Sequence, residues 1–469
     1  LVDNRASFTV SIIPAETSDP LITVQKLRRF LNFDEQDVIE KIHAARNAPF
    51  SQIPVAYDVS IEEAAPIEEY SLELPGVTIT AEPCRRFPWK EQAAHALGYL
   101  GEVGPEQLER LTDEGYVAGD YVGKAGLELV AEKWLHGEDG GMQVQVYADG
   151  RPQLELDEKG NPSVRIDSVG RQLLTLGKKF PKSGSTIRLT LDADMQQVAE
   201  KAMGSFDGAV IVMGAHTGAI RAMVSRPAFD PNIFVSSGMD DERLAVLTNP
   251  RHPLLNRGLK PYAPGSTFKI ITAYAALAEG IITPETKVFC GGSFKLGRRF
   301  RCWKDTGHEN VNVVQALAYS CDVFFYTVGL ELGIERLAKY ARLFGLGSPT
   351  GIELPGETAG LVPSPDWKRR VFKRSSDKIW YDGETVNASI GQGFTLVSPL
   401  QMARVICTVV NGGYLVTPHI IDKVQKEPSE NIQSERVPER EQVLQNDAAL
   451  AIIREGLLQA VSSRKPFYG

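Results

Sequence analysis

Residues 262–280 read YAPGSTFKIITAYAALAEG. A Pro-Gly turn there runs directly into an apolar stretch with helical spacing. The turn delivers Ser266 to the start of the helix pattern, with Lys269 three residues later. Residues three apart share a helix face, so hydroxyl and amine are within reach of one another. A serine hydroxyl is a weak nucleophile until a neighbouring base accepts its proton. Lysine serves as that base where burial disfavours its charged form, and the continuation IITAYAALA is apolar enough to bury it. Backbone N–H groups at a helix start also suit a developing oxyanion. Taken alone, S-x-x-K equally describes a capping serine followed by a solvated lysine.

The remaining sequence sets the frame for that pair. At 469 residues the chain is too long for one average core, which implies two or three domains. Hydrophobic content of 43% and charged content of 23% are ordinary for globular proteins and exclude disordered and collagen-like classes. The net charge of -8 gives no basic footprint for a nucleic-acid partner. No run of 18 apolar residues occurs. Position 1 already lies in a strand-like pattern, LVDNRASFTVSIIPAE, so the chain is expected to continue upstream into a signal or anchor.

Residues 1–185 alternate short strand-like runs with turns, interrupted by helical patches at 24–48 and 124–136. After 185 the texture changes. TIRLTLDADMQQVAEKAM reads as a strand, a cap at Asp192 and an amphipathic helix. GAVIVMGAHTGAIRAMVS reads as two apolar strands around a turn, and helices are expected at 266–279, 311–319, 334–344 and 397–412. The expected fold is α+β and multidomain. An extended N-terminal region, 1–185, precedes a C-terminal domain, 186–469, with an antiparallel sheet packed between helices.

A second constellation changes the standing of S-x-x-K. YSCDVFFY places Ser320 and Asp322 about fifty residues downstream, after the apolar run VNVVQALA. S-x-x-K followed by such a motif resembles the penicillin-recognising serine transpeptidases. APGSTFK, GAVIVMGAHTGAIRAMVSRPAFDPN and NASIGQGFTLVSPLQMA are similar to segments of their catalytic domain. RRFPWKEQAAHALGYLGEV and YVGKAGLELVAEKWLHGEDGG resemble the pedestal of class B penicillin-binding proteins, and most nearly the elongation-specific members.

The resemblance implies that Ser266 attacks the carbonyl between the terminal D-alanines of a peptidoglycan stem peptide. Lys269 would take its proton, and D-alanine would leave from an acyl-enzyme. An amine of a neighbouring stem peptide would then complete the cross-link. Ser320 would relay protons between Lys269 and the leaving nitrogen. Asp322 stands where the family usually has Asn, or Asp in the elongation-specific members; its oxygen would accept from the substrate amide. An ionised carboxylate donates nothing, so a role needing an amide NH₂ is not open to it. β-Lactams would acylate Ser266 as mimics of D-Ala-D-Ala.

The family's third motif, Lys-Thr/Ser-Gly, is expected after the helical stretch QVLQNDAALAIIREGLLQAV, where the chain reads SSRKPFYG. The domain is therefore expected to lack its last strands and that motif. The Lys-Ser-Gly at 182–184 precedes Ser266 and reads as a linker turn.

Cys290, Cys302, His308 and Cys321 form a Cys₃His set within 32 residues, whereas Cys84 and Cys407 are isolated. That donor set suits a structural, tetrahedral zinc ion with no open position for catalysis. A hairpin over 289–308 would bring Cys290 near Cys302, and some elongation-specific relatives carry a metal site in this region. A Cys290–Cys302 disulfide and free buried thiols are the alternatives. The remaining histidines have no companions at ligand spacing and read as structural or surface residues.

By the same resemblance, the partners would be a membrane glycosyltransferase of the shape, elongation, division and sporulation family and rod-complex scaffold proteins. The N-terminal region would be the docking surface. The setting would be the periplasmic face of a bacterial inner membrane, with a single-pass anchor upstream. A D,D-carboxypeptidase or β-lactamase uses the same S-x-x-K chemistry, and a β-lactam sensor or silent scaffold would keep the fold without it.

Overall fold

A computed structural model describes residues 1–17, 19–45, 52–111, 115–116, 119–138, 182–236, 238–425 and 440–462, and the backbone of short strands between 141 and 179. Asp3–Ile12 is the middle strand of a three-stranded antiparallel sheet, between Ile53–Val59 and Val77–Arg86. Its pairing with the latter runs unbroken from Asp3↔Arg86 to Ile12↔Val77. Val10 and Ile12 turn to one face and pack with Val24, Leu27, Val38, Ile42 and Ile67 of three helices. This region thus owns a separate core.

The helix expected over 24–48 is two helices, Pro20–Leu27 and Glu35–Ala44. Asp34 divides them: its carboxylate accepts from the N–H groups of Gln36 and Asp37, which requires extended backbone at Asp34 itself. Residues 46–48 of that expectation lie outside the described residues. The patch at 124–136 likewise forms two short helices, Gly126–Val130 and Glu132–Leu135. Within the strand-and-turn region expected before 185, Gly141–Gln145 and Glu155–Leu156 are strands, and the residues between them lie outside the described residues. Lys182 does more than turn, because its backbone exchanges two hydrogen bonds with Glu138 at 2.8 and 2.9 Å.

Phe87, Leu97 and Leu127 pack into one core with Ile220, Met223, Leu259, Leu400 and Ile420. The segment following the N-terminal sheet is therefore joined to the C-terminal region through apolar side chains. There, the hairpin Gly208–Met213 and Ile220–Arg226 forms as expected, as do Thr186–Leu189 and the Asp192-capped helix Ala193–Met203. Ile220 N donates to His419 O at 2.9 Å, linking the hairpin to Ile421–Gln425, which pairs with Thr186–Leu189. Helix Ala193–Met203 packs on one hairpin strand and Pro399–Val410 on the other. A second group of helices, Lys269–Ala278, Val313–Ala318, Asp322–Leu332, Ile334–Leu343 and Asp447–Ser462, encloses the largest core. The architecture is α+β. Among the described residues, no helix is long and apolar enough to cross a membrane.

His95 sits at the junction of the two regions. It is buried, its Nε2 meets Pro253 O at 2.6 Å, and Phe229 lies edge-on at 5.3 Å. Burial pushes its imidazole from the ordinary 6.5 down to about 4. The folded state holds it neutral, so its contribution is complete above pH 6.5 and is lost as the pH falls toward 4. Acidification from pH 7.5 to 4 is expected to cost about 3 kcal/mol through this residue. Denaturation of the protein and of His95→Gln at both pH values checks it: the variant should lack most of that difference.

Candidate active site and cysteine cluster

The turn that carries Ser266 is shaped by two glycines. Gly265–Phe268 is a 3₁₀ turn and the α-helix begins at Lys269, one turn later than the S-x-x-K spacing suggested. Gly265 N donates to Gly391 O at 3.0 Å. Gly391 has φ +70°, and a Cβ there would stand 2.4 Å from Gly265 O. Only glycine permits that approach. The segment 391–393 therefore backs the turn, and Ser266 is left exposed on it.

Lys269 is 1% exposed. Its ammonium donates to Ser320 O and Oγ, each at 3.0 Å, and to Asp322 Oδ1 at 2.6 Å. The Phe325 ring lies beneath at 5.6 Å. Burying an ammonium costs several kcal/mol unless acceptors surround it, and three do. Ser266 Oγ is not among the partners of Lys269 Nζ; catalytic hydrogen bonds commonly tighten only with substrate bound.

Ser320 takes φ +51°, a left-handed conformation rare for a residue with a side chain. That backbone turns both its oxygens toward Lys269. Cys321 then caps helix Asp322–Leu332, with Asp322 as its first residue. The sequence reading set Asp322 against a substrate amide. In the structure Oδ1 meets Lys269 and Oδ2 accepts from Trp303 N at 3.0 Å, so both oxygens have protein donors. Trp303 was missed from the sequence. Its indole also donates to Tyr319 O at 2.9 Å, so it braces both ends of the 319–322 segment. Its place directly after Cys302 was the available signal.

The cysteine hairpin forms as two nested pairs, Val288–Cys290 with Glu309–Val311 and Ser293–Leu296 with Arg298–Arg301. His308 N donates to Cys290 O at 3.0 Å, and Cys302 N to Gly292 O at 3.0 Å. Gly307 and Gly292 pack backbone to backbone here: a Cβ on Gly307 would lie 1.9 Å from Cys290 O. Ligand atoms of Cys290, Cys302, His308 and Cys321 fall within 4.8 Å of one another. His308 Nδ1 stands 3.6 Å from both Cys290 Sγ and Cys302 Sγ. All three thiols are buried and unpaired, so the Cys290–Cys302 disulfide is not formed. The interaction between the Cys302 and Cys321 thiols favours ionisation of Cys302 and opposes that of Cys321. Trp303 and Tyr319 flank the imidazole, and its Nε2 has no hydrogen-bond partner among the described residues.

The chain belongs to the penicillin-binding protein transpeptidase family. The model of the penicillin-binding protein transpeptidase domain matches residues 208–466, and that of the penicillin-binding protein dimerisation domain matches 1–165. Among curated relatives, peptidoglycan D,D-transpeptidase MrdA of Escherichia coli (strain K12) is 33% identical over 427 residues. That match covers 89% of this chain and 64% of the relative. The chain thus spans under two thirds of the length of such relatives. A Helicobacter pylori complex between penicillin-binding protein PBP2 and MreC aligns with TM-score 0.80 and 28% identity. It covers 99% of this chain and 81% of that one. A structure described as coordinating polymerization and crosslinking in a peptidoglycan synthase complex aligns with TM-score 0.71 and 27% identity, over 98% and 74%.

Lys269→Met strands Asp322 without its cation. It is expected to cost about 3–5 kcal/mol of stability and to slow acylation by penicillin by about 10²-fold or more. Adding Asp322→Asn should recover stability but not acylation, as read by denaturation and by stopped-flow acylation.

Proposed function

We propose that the protein is a serine D,D-transpeptidase that cross-links peptidoglycan stem peptides during cell elongation. The observation that carries this reading is the Lys269 ammonium joined to Ser320 Oγ one helical turn from the exposed Ser266. In the reaction, Ser266 Oγ adds to the penultimate D-alanine carbonyl and its proton passes to the Lys269–Ser320 pair. The carbon–nitrogen bond breaks as that proton moves to the departing D-alanine, leaving an ester on Ser266. An acceptor amine then displaces Ser266 and forms the new amide, its surplus proton passing through the pair to Ser266 Oγ, which regains its hydroxyl. Lys269 must shed a proton before it accepts one, and Ser320 Oγ is the adjacent relay. Asp322 acts as a positioning residue that holds Lys269. Electrostatic preorganisation of this kind costs nothing at the moment of reaction.

The division of labour follows the sequence reading, with 1–185 as a pedestal for partners and 186–469 as the catalytic region. As those partners we propose a rod-complex scaffold protein and a membrane glycosyltransferase, at the periplasmic face of an inner membrane; the relatives' complex with MreC and their peptidoglycan synthase complex support the two kinds of partner. Intact-mass spectrometry of the protein before and after penicillin tests the reading. One adduct per chain, lost in Ser266→Ala, is expected. A full-length protein with no adduct sinks it, and rapid release of hydrolysed penicillin reassigns it as a hydrolase.

We further propose that Cys290, Cys302, His308 and Cys321 hold a structural zinc ion. A tetrahedral zinc with bonds of about 2.3 Å to sulfur and about 2.0–2.1 Å to nitrogen sets its N···S edges near ~3.6 Å. The two His308–cysteine separations match that edge. With zinc on Nδ1, Nε2 carries the ring hydrogen. The ion would supply no catalytic chemistry. It would tie Cys302, next to Trp303, to Cys321, next to Asp322. Metal analysis is expected to give about one zinc per chain, and less than about 0.2 rejects the site. Cys302→Ser should lower both the melting temperature and the acylation rate, through the Trp303 and Asp322 contact.

A further inference from the structure

Residues 368–378 read KRRVFKRSSDK, six basic side chains and one acid in a chain whose net charge is -8. Five of the six, Arg369, Arg370, Lys373, Arg374 and Lys378, are exposed, and the sixth, Lys368, is buried. Lys368 is what gives this segment a shape. Its ammonium donates to Ile379 O at 2.7 Å and pairs with Glu384. Four aromatic rings surround it: Phe372, Trp380 and Phe394 at 5.8 Å and Tyr381 at 5.4 Å. A buried cation with a carboxylate, a carbonyl and four ring faces is well compensated. It closes the chain from 368 to 381 into an arm rooted on Phe394.

The root lies against the catalytic turn. Phe394 packs on Trp367 at 5.2 Å and on Phe372 at 5.7 Å, and follows directly on the 391–393 segment that receives Gly265 N. Beyond Phe394, Val397 exchanges backbone hydrogen bonds of 2.8 Å with Tyr262 on the other side of that turn. The arm and Ser266 therefore share one frame.

The charge on the arm is not neutralised locally. Arg369 pairs with Asp366, and Asp377 accepts from Ser376. Arg370, Lys373, Arg374 and Lys378 have no ion-pair partner among the described residues. Four exposed cations without ion-pair partners on one short segment favour a polyanion.

We infer that the 368–381 arm is a docking site for the carboxylates of the peptidoglycan strand, engaging stem peptides adjacent to the one that reaches Ser266. This inference rests on the transpeptidase reading. An uncross-linked stem peptide ends in a free D-alanine carboxylate, and a glycan strand repeats that charge along its length. A small penicillin needs only Ser266 and its immediate neighbours, whereas a strand that reaches Ser266 extends far enough to meet the arm as well. Carboxylates suit guanidinium groups through paired hydrogen bonds, and exposed contacts of this kind are weak singly and additive in effect.

The test is binding of soluble, uncross-linked glycan strands to the full-length protein, at low and high salt. Probes are strands with their stem peptides and the same strands after enzymatic removal of the peptides. The variant is Arg370→Gln/Lys373→Gln/Arg374→Gln/Lys378→Gln, with unchanged melting temperature as the check on folding. Intact strands are expected to bind about tenfold more weakly to the variant, and raised salt should weaken binding to the unaltered protein. Peptide-free strands should bind both proteins equally and poorly. Should the fourfold variant unfold, the Arg370/Lys373 and Arg374/Lys378 pairs are replaced separately, each with a partial loss expected. Equal binding of intact strands by protein and variant overturns the inference, as does equal binding of intact and peptide-free strands. Loss of binding to phosphatidylglycerol vesicles with strand binding intact also overturns it, assigning the arm to a membrane surface. The penicillin adduct on Ser266 of the unaltered protein is read in parallel. Its absence strikes the transpeptidase reading, whereas an adduct without arm-dependent binding strikes only the arm.

Discussion

The Lys269 ammonium is the constraint around which the C-terminal region is arranged. It is carried into the interior by the apolar face of helix Lys269–Ala278, and an ammonium there must be surrounded by acceptors. Those acceptors come from one short segment, Ser320 and Asp322, at the junction of two helices. The junction is bent so that Ser320 occupies left-handed backbone, at a cost of about 1–2 kcal/mol. The strain is tolerated because relaxing it would remove two acceptors from a buried charge. Exposure of Ser266 and burial of Lys269 then follow from the same turn, with the serine at its outer edge and the lysine one turn inward.

Each further layer holds that junction from a different side. Gly391 admits the Ser266 turn at van der Waals limits, and Thr272 Oγ1 donates to Ser389 O at 2.8 Å just below it. Trp303 N occupies the remaining Asp322 oxygen. The cysteine hairpin delivers Trp303, and Cys302 and Cys321 sit one residue away from the two ends of that hydrogen bond. The hydrogen bonds of Lys269 and the packing of the cysteine cluster are therefore only a few bonds apart. On the opposite side, the Lys368 cage fixes the residues leading into 391–397. Two buried lysines, each compensated differently, thus frame the exposed serine. One is met by the oxygens of Ser320 and Asp322, the other largely by ring faces and a carboxylate.

Much of the fold was legible in order. The hairpin 208–226 forms because two apolar β-rich runs flank a tight turn, and Asp192 starts its helix through a side-chain cap, both local effects. The helix assigned over 24–48 failed for an equally local reason. Apolar spacing continued across Asp34, whose own carboxylate competes for the next N–H groups and ends the pattern. The boundary at 185 was read from texture, and texture does not register that Phe87, Leu97 and Leu127 pack into the C-terminal region.

At the site, sequence alone determined the chemical inventory: a serine and lysine at helical spacing, a second serine with a carboxylate, and three thiols with an imidazole. Such choices depend on residue type and separations of a few positions, which short-range sterics and hydrogen bonding govern. What the oxygens of Asp322 do was decided by tertiary structure, because a carboxylate's partner is whichever donor is buried beside it. Trp303 meets Asp322 through a backbone amide, which every residue but proline possesses, so only its place after Cys302 hinted at that contact. The gathering of Cys290, Cys302, His308 and Cys321, and the rooting of the basic arm beside Ser266, likewise required the fold. Each joins segments tens to more than a hundred residues apart, and only the packing of one complete core brings such segments together.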